Sequence, residues 1–303
     1  MCKYNSIESI IDKSKIKYNE PMKNHTTMRV GGNCDIMVLP ESIEDIQNII
    51  SISKKENLEY YIIGNGSNVI VPDEGVRALV IKLASKFSNV EIIGNKIKVL
   101  SGCSMPKVSH IAKENSLKGF EFACGIPGTI GGGIRMNAGA YGSEIANVLE
   151  DVTYIDEDGC IKTINKDEVN FSYRHSIFAE NKHLVIISAT FKLEVGDKNE
   201  IENIMKINMQ KRRQKQPLEY PNFGSVFKRP EGYFVGKLVD DAGLRGYTIG
   251  GAQVSEKHTG FIINKDNATY KDIVDLMHYI QKVVFEKFNV KLQAEVEVLG
   301  GKI

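Results

Sequence analysis

The sequence predicts a mixed fold, α+β or α/β, with strands and helices interleaved along the whole chain. Three observations lead there. Short runs rich in β-branched residues, such as "EYYIIG", "RALVIKL" and "HLVIISATFKLEV", read as strands. Segments with helical apolar spacing stand between them, two of them opened by a capping-box pair. Finally, 303 residues at 42% hydrophobic and 25% charged suffice for two or three domains with real cores.

In chain order, "CDIMVLP" reads as a strand, followed by a helix from Ser42 with Ile43, Ile46, Ile49 and Ile50 on one face. Ser42 and Asp45 form its capping box, and "EYYIIG" closes a βαβ-like unit. "NVIVP" and "RALVIKL" add two strands, so residues 1–83 read as a small α/β layer. "VEIIGNKIKVLSG" is a hairpin turning at Gly94-Asn95, a pair suited to positive φ. A helix follows from about Met105 to Asn115, with Pro106 in its first turn. "VTYIDEDGCIKTI" is a second hairpin, and the region 84–196 is mostly β. The third region, 197–303, opens with a helix ending at Pro217, with Ile201, Ile204, Met205 and Met209 facing inward. A further helix starts at a Thr269/Asp272 capping box and carries Ile273, Leu276, Ile280, Val283 and Val284 at helical spacing. "VKLQAEVEVLG" ends the chain as a strand.

Charge excludes one broad class. Lys plus Arg number 39 against 38 Asp plus Glu, which argues against a protein that coats nucleic acid. The five cysteines are odd in number and contain no CxxC, so reduced thiols are expected and no metal centre. The N-terminus lacks the apolar core of a signal peptide, and no apolar run reaches the roughly 20 residues of a membrane span. A cytoplasmic protein with no membrane partner is the expectation.

Two glycine-rich stretches carry the candidate chemistry. In "IIGNGSNVIV" a strand runs into Gly64, Asn65, Gly66, Ser67 and Asn68. Main-chain N–H groups there can form a nest for an anion, with Ser67 and Asn68 as further donors; the same pattern reads equally well as a hairpin turn. "GIPGTIGGGIRMNAGAYG", residues 125–142, holds seven glycines yet is neither GxGxxG nor a P-loop. Either a flat or charged ligand approaches bare backbone, or glycine simply makes room where two chain segments cross.

With "NHTTMRVGG", "SYRHSIF", "NFGSVFKRP" and "QAEVEVLG", these stretches form six ordered blocks from Asn24 to the C-terminal end. Together they resemble the UDP-N-acetylenolpyruvoylglucosamine reductases of bacterial peptidoglycan synthesis. The resemblance implies an α+β protein: a vanillyl-alcohol-oxidase-type FAD-binding fold in two subdomains, 1–83 and 84–196, and a substrate-binding domain, 197–303. It implies noncovalent FAD, with Gly64, Asn65, Gly66, Ser67 and Asn68 at the pyrophosphate. Ile126, Pro127, Gly128, Gly131 and Gly132 would run along the cofactor, and Gly139, Ala140 and Tyr141 would close over it.

The implied reaction passes hydride from NADPH to flavin N5, then to the enolpyruvyl carbon β to the carboxylate of UDP-N-acetylglucosamine enolpyruvate. Charge then develops at the α-carbon, and something must stabilise and protonate it. Arg174 matches the family's cation at the substrate carboxylate, Ser225 its proton donor, and Glu295 the carboxyl assisting at the enediolate. Beside an enediolate, Glu295 is expected to be protonated or to act through water, since like charges repel. By alternation alone it would read as an exposed strand residue. Tyr173 and Lys228 are candidate substrate contacts. His25 and His175 lie in matching blocks without a catalytic assignment, and "KRRQK" (211–215) reads as cations favoured at a helix C-terminus. The chain looks like the compact form of the family, with no room between Ser176 and Asn222 for the tyrosine-bearing insertion of the other form, and a monomer is expected. The rival readings are a flavin oxidase of the same fold and a binding protein that keeps only the cofactor site.

Overall fold

The computed structural model describes residues 3–301. Cys2 lies outside that range; Cys34, Cys103 and Cys124 are free and buried, and Cys160 is free and exposed. The chain forms two compact units. One takes the chain up to Tyr18, Ile36–Asn65 and Ala78–Arg212; the other takes Asn19–Asp35, Gly66–Arg77 and the chain from Arg213.

The strands Ile16–Pro21, Asn33–Val38, Val76–Lys82 and Tyr60–Ile63 form a four-stranded sheet in that order. Tyr60–Ile63 pairs in parallel with Val76–Lys82, Tyr60 standing opposite Leu79. The strand before the helix and the strand after it thus share one sheet, with Val76–Lys82 standing between them. The helix Ile43–Lys55 starts at the expected Ser42/Asp45 capping box and buries Ile46, Ile49 and Ile50. Those side chains pack with Ile36, Leu79, Ile81 and Phe87 into one core.

A five-stranded antiparallel sheet follows, ordered Ile161–Asn165, Leu149–Ile155, Val185–Lys192, Lys96–Leu100, Val90–Ile93. Both expected hairpins are present. Ile93 faces Lys96 across the turn whose Gly94 has φ +60°, and Ile155 faces Ile161 across the turn whose Gly159 has φ +82°. The helix Met105–Glu114, with Pro106 in its first turn, packs under this sheet with Phe120, Phe122 and Phe191. The helix Lys198–Lys215, expected to open the third region, lies with the first unit as far as Arg212. Ile201 and Met205 are buried against Cys124, with Met209 packed beside them. Ile204 is a correction: it is 45% exposed, because the buried stripe of that helix runs through Ile201, Met205 and Asn208.

The second unit has its own core, including Met28, Ile70, Phe227, Leu238, Ile262, Leu276 and Ile280. Its three-stranded antiparallel sheet comprises Thr248–Ile249, Ala252–Val254 and Ile262–Asn264. The helix Tyr270–Phe288 begins at the expected Thr269/Asp272 capping box. Both of the remaining expected strands are shorter than read. Only Val69–Ile70 and Glu297–Val298 are strand, paired in parallel. No described helix is long and apolar enough to cross a membrane.

Candidate functional site

The long glycine stretch is built against its own unit. Thr129 pairs with Ser104; Met105 N donates to Gly128 O at 3.0 Å, Ile130 N to Cys103 O at 2.8 Å and Gly131 N to Ser101 O at 2.8 Å. Thr129, which is buried, caps the short helix Ile130–Arg135 by accepting from Gly132 N at 3.4 Å. Packing accounts for most of the glycines here. A Cβ at Gly125 would meet Arg212 Cδ at 2.8 Å, one at Gly131 Ser101 Cβ at 3.0 Å, one at Gly133 Met105 Sδ at 2.8 Å, and one at Gly139 Glu144 Cβ at 2.7 Å. Gly132 differs: its only near neighbour would be Thr129 Oγ1, at 3.6 Å. The crossing of chain segments thus explains much of the glycine density, while Gly132 and Gly142 stay open. The main-chain N–H groups of Ile126, Gly131 and Gly132 are engaged. All three N–H groups already donate within the chain, Ile126 N to Ala123 O at 3.1 Å.

Further on, Gly139–Ala140 pairs with Ser143–Glu144 across a two-residue turn, Tyr141-Gly142. Both turn residues have positive φ, +56° and +87°, as the right-handed twist of a tight hairpin demands. Tyr141 is partly exposed, and burial pushes its hydroxyl pKa up. Burial also lowers the pKa of the nearby Arg212 guanidinium, which sets this residue apart from the exposed Lys211, Arg213 and Lys215 of the same basic run.

The loop Gly64–Asn68 meets the same stretch through Gly64 and Asn65. A Cβ on Gly64 would fall 2.2 Å from Thr129 Oγ1, and Asn65 Nδ2 donates to Pro127 O at 3.0 Å. Among the described residues, the main-chain N–H groups of Gly64, Asn65, Gly66 and Ser67 donate to no protein acceptor. A short loop with several unengaged donors, no acidic side chain and an open glycine face nearby fits a phosphate-bearing cofactor. Asn68 is tied differently: its Nδ2 donates to Glu295 O at 3.0 Å, so its amide holds the segment that carries Glu295.

Arg174 sits at the tip of a tight turn closed by Ser172 and His175, whose main chains exchange two bonds of 3.2 Å. Its φ is +54°, a left-handed conformation costly for an arginine. The half-buried guanidinium donates through Nη1 to Asn137 O at 3.5 Å and through Nη2 to Gly139 O at 3.4 Å. Tyr173 is exposed, with its ring centroid 5.1 Å from Arg174 Cζ. His175 Nε2 lies 3.2 Å from Glu180 Oε1, and the buried His25 lies 2.7 Å from Glu20 Oε1.

In the second unit the structure brings Ser225, Lys228 and Glu295 together. Glu295 N donates to Val226 O at 2.9 Å, Phe227 pairs with Ala294, and Lys228 N donates to Gln293 O at 2.8 Å. On its other side Val226 N donates to Gly260 O at 3.0 Å. The segment after Ser225 is thus clamped between two others. Ser225 follows Gly224, which turns at φ +86°, and its Oγ donates to Phe227 O at 3.2 Å. Glu295, exposed by alternation, is half-buried here.

His258 was not singled out in the sequence. It reaches the clamp through Gly260, whose N–H donates to His258 Nδ1 at 3.2 Å. That bond leaves the neutral ring's proton on Nε2. The signal available was a glycine two residues after histidine: a Cβ at Gly260 would lie 3.0 Å from His258 Cε1. Burial lowers the His258 pKa below its ordinary 6.5. The unfolded chain therefore binds a proton below about pH 6.5 that the folded chain resists. The contribution is fully present above that pH and is lost as pH falls through the range. His258→Gln is expected to flatten the fall in thermal midpoint between pH 7.5 and pH 5.5, both round values bracketing His titration. An unchanged profile in the variant would remove His258 as its source.

The chain is similar to known proteins over most of its length. The family model "FAD binding domain" matches residues 34–165, and "UDP-N-acetylenolpyruvoylglucosamine reductase, C-terminal domain" matches residues 216–299. The chain is 47% identical to a UDP-N-acetylenolpyruvoylglucosamine reductase from Caldanaerobacter subterraneus subsp. tengcongensis, over 98% of this chain and 97% of that one. It is 49% identical to one from Clostridium novyi, over 97% and 95%. The crystal structure of the Thermus caldophilus enzyme of that name is 31% identical, with a TM-score of 0.80 over 93% of this chain and 97% of that one.

Proposed function

The chain belongs to the UDP-N-acetylenolpyruvoylglucosamine reductase family of flavin-dependent oxidoreductases, and from that premise we propose that it reduces UDP-N-acetylglucosamine enolpyruvate to UDP-N-acetylmuramate with NADPH as electron source. Its mixed α/β architecture is the vanillyl-alcohol-oxidase-type FAD-binding fold joined to a C-terminal domain, and FAD is its cofactor. What supports the finer reading most is the clamp that sets Ser225 beside the segment carrying Glu295.

The residues present fit the cofactor. The loop Gly64–Ser67, with its unengaged N–H donors, would hold the FAD pyrophosphate, and the open face at Gly132 would lie along it. When bound, FAD supplies a two-electron carrier between NADPH and the unsaturated acid. The chain's own groups do the rest. Arg174 receives the substrate carboxylate, where a guanidinium fork matches two oxygens and gains as charge develops. Ser225 gives its hydroxyl proton to the α-carbon; to do so, Oγ turns away from Phe227 O. Glu295 assists at the same charge as a neutral acid or through water. Tyr173 and Lys228 line the substrate. The substrate-binding part begins near Arg213 in this reading, later than residue 197, because Ile201 and Met205 anchor the preceding helix on Cys124.

The test starts from a yellow preparation of the full chain. NADPH alone is expected to bleach it, and added UDP-N-acetylglucosamine enolpyruvate to restore the colour with net NADPH consumption. Oxygen consumption without any response to the enolpyruvate would favour the oxidase reading and overturn this one.

A further inference from the structure

We propose that Asn137 is the residue that positions Arg174 for the substrate carboxylate, an inference that rests on the role given to Arg174 above. Asn137 is completely buried, at 0% exposure, just past the end of the helix Ile130–Arg135. Its φ is +42°, and its N–H donates back to Ile134 O at 3.1 Å, so the main chain turns there. Every part of the residue is engaged. Oδ1 accepts from Ala146 N at 3.0 Å, Nδ2 donates to Ser172 O at 3.1 Å, and the main-chain carbonyl accepts from Arg174 Nη1 at 3.5 Å.

The geometry makes one residue hold both ends of the arginine. Ser172 is the foot of the tight turn that carries Arg174, and Asn137 Nδ2 grips it; the Asn137 carbonyl meets the guanidinium itself. Gly139 O supports the other nitrogen of the fork, and Ser176 Oγ, donating to Arg135 O at 2.8 Å, pins the far side of the turn. A side chain here must donate, accept and tolerate a left-handed backbone. Asparagine does all three. Aspartate would keep the acceptor for Ala146 N and set an oxygen against Ser172 O, a repulsion that moves the turn.

The experiment uses the full chain with FAD and compares Asn137→Asp and Asn137→Gly, each alone and combined with Arg174→Ala. Gly keeps the positive φ, so it still answers if Asp fails to fold. Four readouts are taken: FAD retention with thermal midpoint, anaerobic bleaching by NADPH, reoxidation by the enolpyruvate, and substrate affinity from the shift in flavin absorbance. Positioning predicts about a 10- to 100-fold loss in the substrate half-reaction, the scale of a misplacement near 1 Å, with bleaching by NADPH unchanged. In the Arg174→Ala background the same substitution should cost less than about twofold, because coupled residues are non-additive. A loss that multiplies with Arg174→Ala, or one that falls equally on both half-reactions, overturns the proposal and leaves the role of Arg174 standing. If Arg174→Ala itself leaves reoxidation intact, the reading of Arg174 fails first and the positioning claim falls with it.

Discussion

Replacing Ser225 by alanine leaves a protein that holds FAD and is bleached by NADPH, yet completes turnover about 10³-fold more slowly, within the range of a lost general acid. The expectation follows from where the hydroxyl stands. Ser225 is half-buried at a glycine turn, and the chain after it is locked between Gly260 and Glu295 by main-chain bonds that a side-chain truncation leaves intact. Its Oγ makes one weak contact, to Phe227 O at 3.2 Å, so removing it costs little stability. The loss should therefore appear only in protonation of the carbon acid. Stopped-flow spectroscopy reads this directly, since bleaching by NADPH and the completion of product are separate events. Cysteine at the same position restores a proton donor and should recover part of the rate. Equal loss in both phases would mean that Ser225 supports the cofactor, and full turnover in the alanine variant would mean that another group gives the proton.

Gly66→Ala should be far more damaging to the fold than Gly142→Ala, although both glycines have positive φ, +62° and +87°. Left-handed backbone alone costs an L-residue about 1–2 kcal/mol, and that is all Gly142 should show, because a Cβ there meets nothing within 4 Å. At Gly66 the added carbon would fall 2.0 Å from His25 O and 2.9 Å from Thr26 Cα. Those atoms are main chain and cannot rotate aside. Gly66 O also accepts from Thr27 N at 3.0 Å, and His25 is fixed on Glu20, so the two segments move only together. The total penalty should reach about 3 kcal/mol or more, the range of substitutions that strain a special backbone position. The same shift would turn the N–H groups of Gly64–Ser67 away from a bound phosphate. Thermal midpoint and FAD content per chain, measured for both variants, decide it. Equal effects at the two glycines would refute the contact argument.

These predictions stand on features of unequal visibility in the sequence. The capping boxes at Ser42/Asp45 and Thr269/Asp272, and the hairpins around Gly94 and Gly159, were legible because a few neighbouring residues determine them. Arg174, Ser225 and Glu295 stood out through ordered motif blocks, while local pattern taken alone would have left Glu295 on a solvent face. The glycines show the limit most clearly. Their density was plain, but Gly64, Gly125, Gly131, Gly133 and Gly139 each answer to a neighbour distant in sequence or across a turn. Asn137 and His258 do not stand out in the sequence, because a polar residue gives no hint of its partners until distant segments meet it.

The linear chain by itself determined the short-range structure: where helices begin, where hairpins turn, and which residues could donate, accept or carry charge. Tertiary structure alone decided which strand took the centre of the first sheet, which glycines back onto other chain and which remain open, and that one buried asparagine grips the arginine turn. The physical reason is range. Turns and caps are satisfied within about four residues, whereas burial and side-chain hydrogen bonds depend on what folding brings alongside.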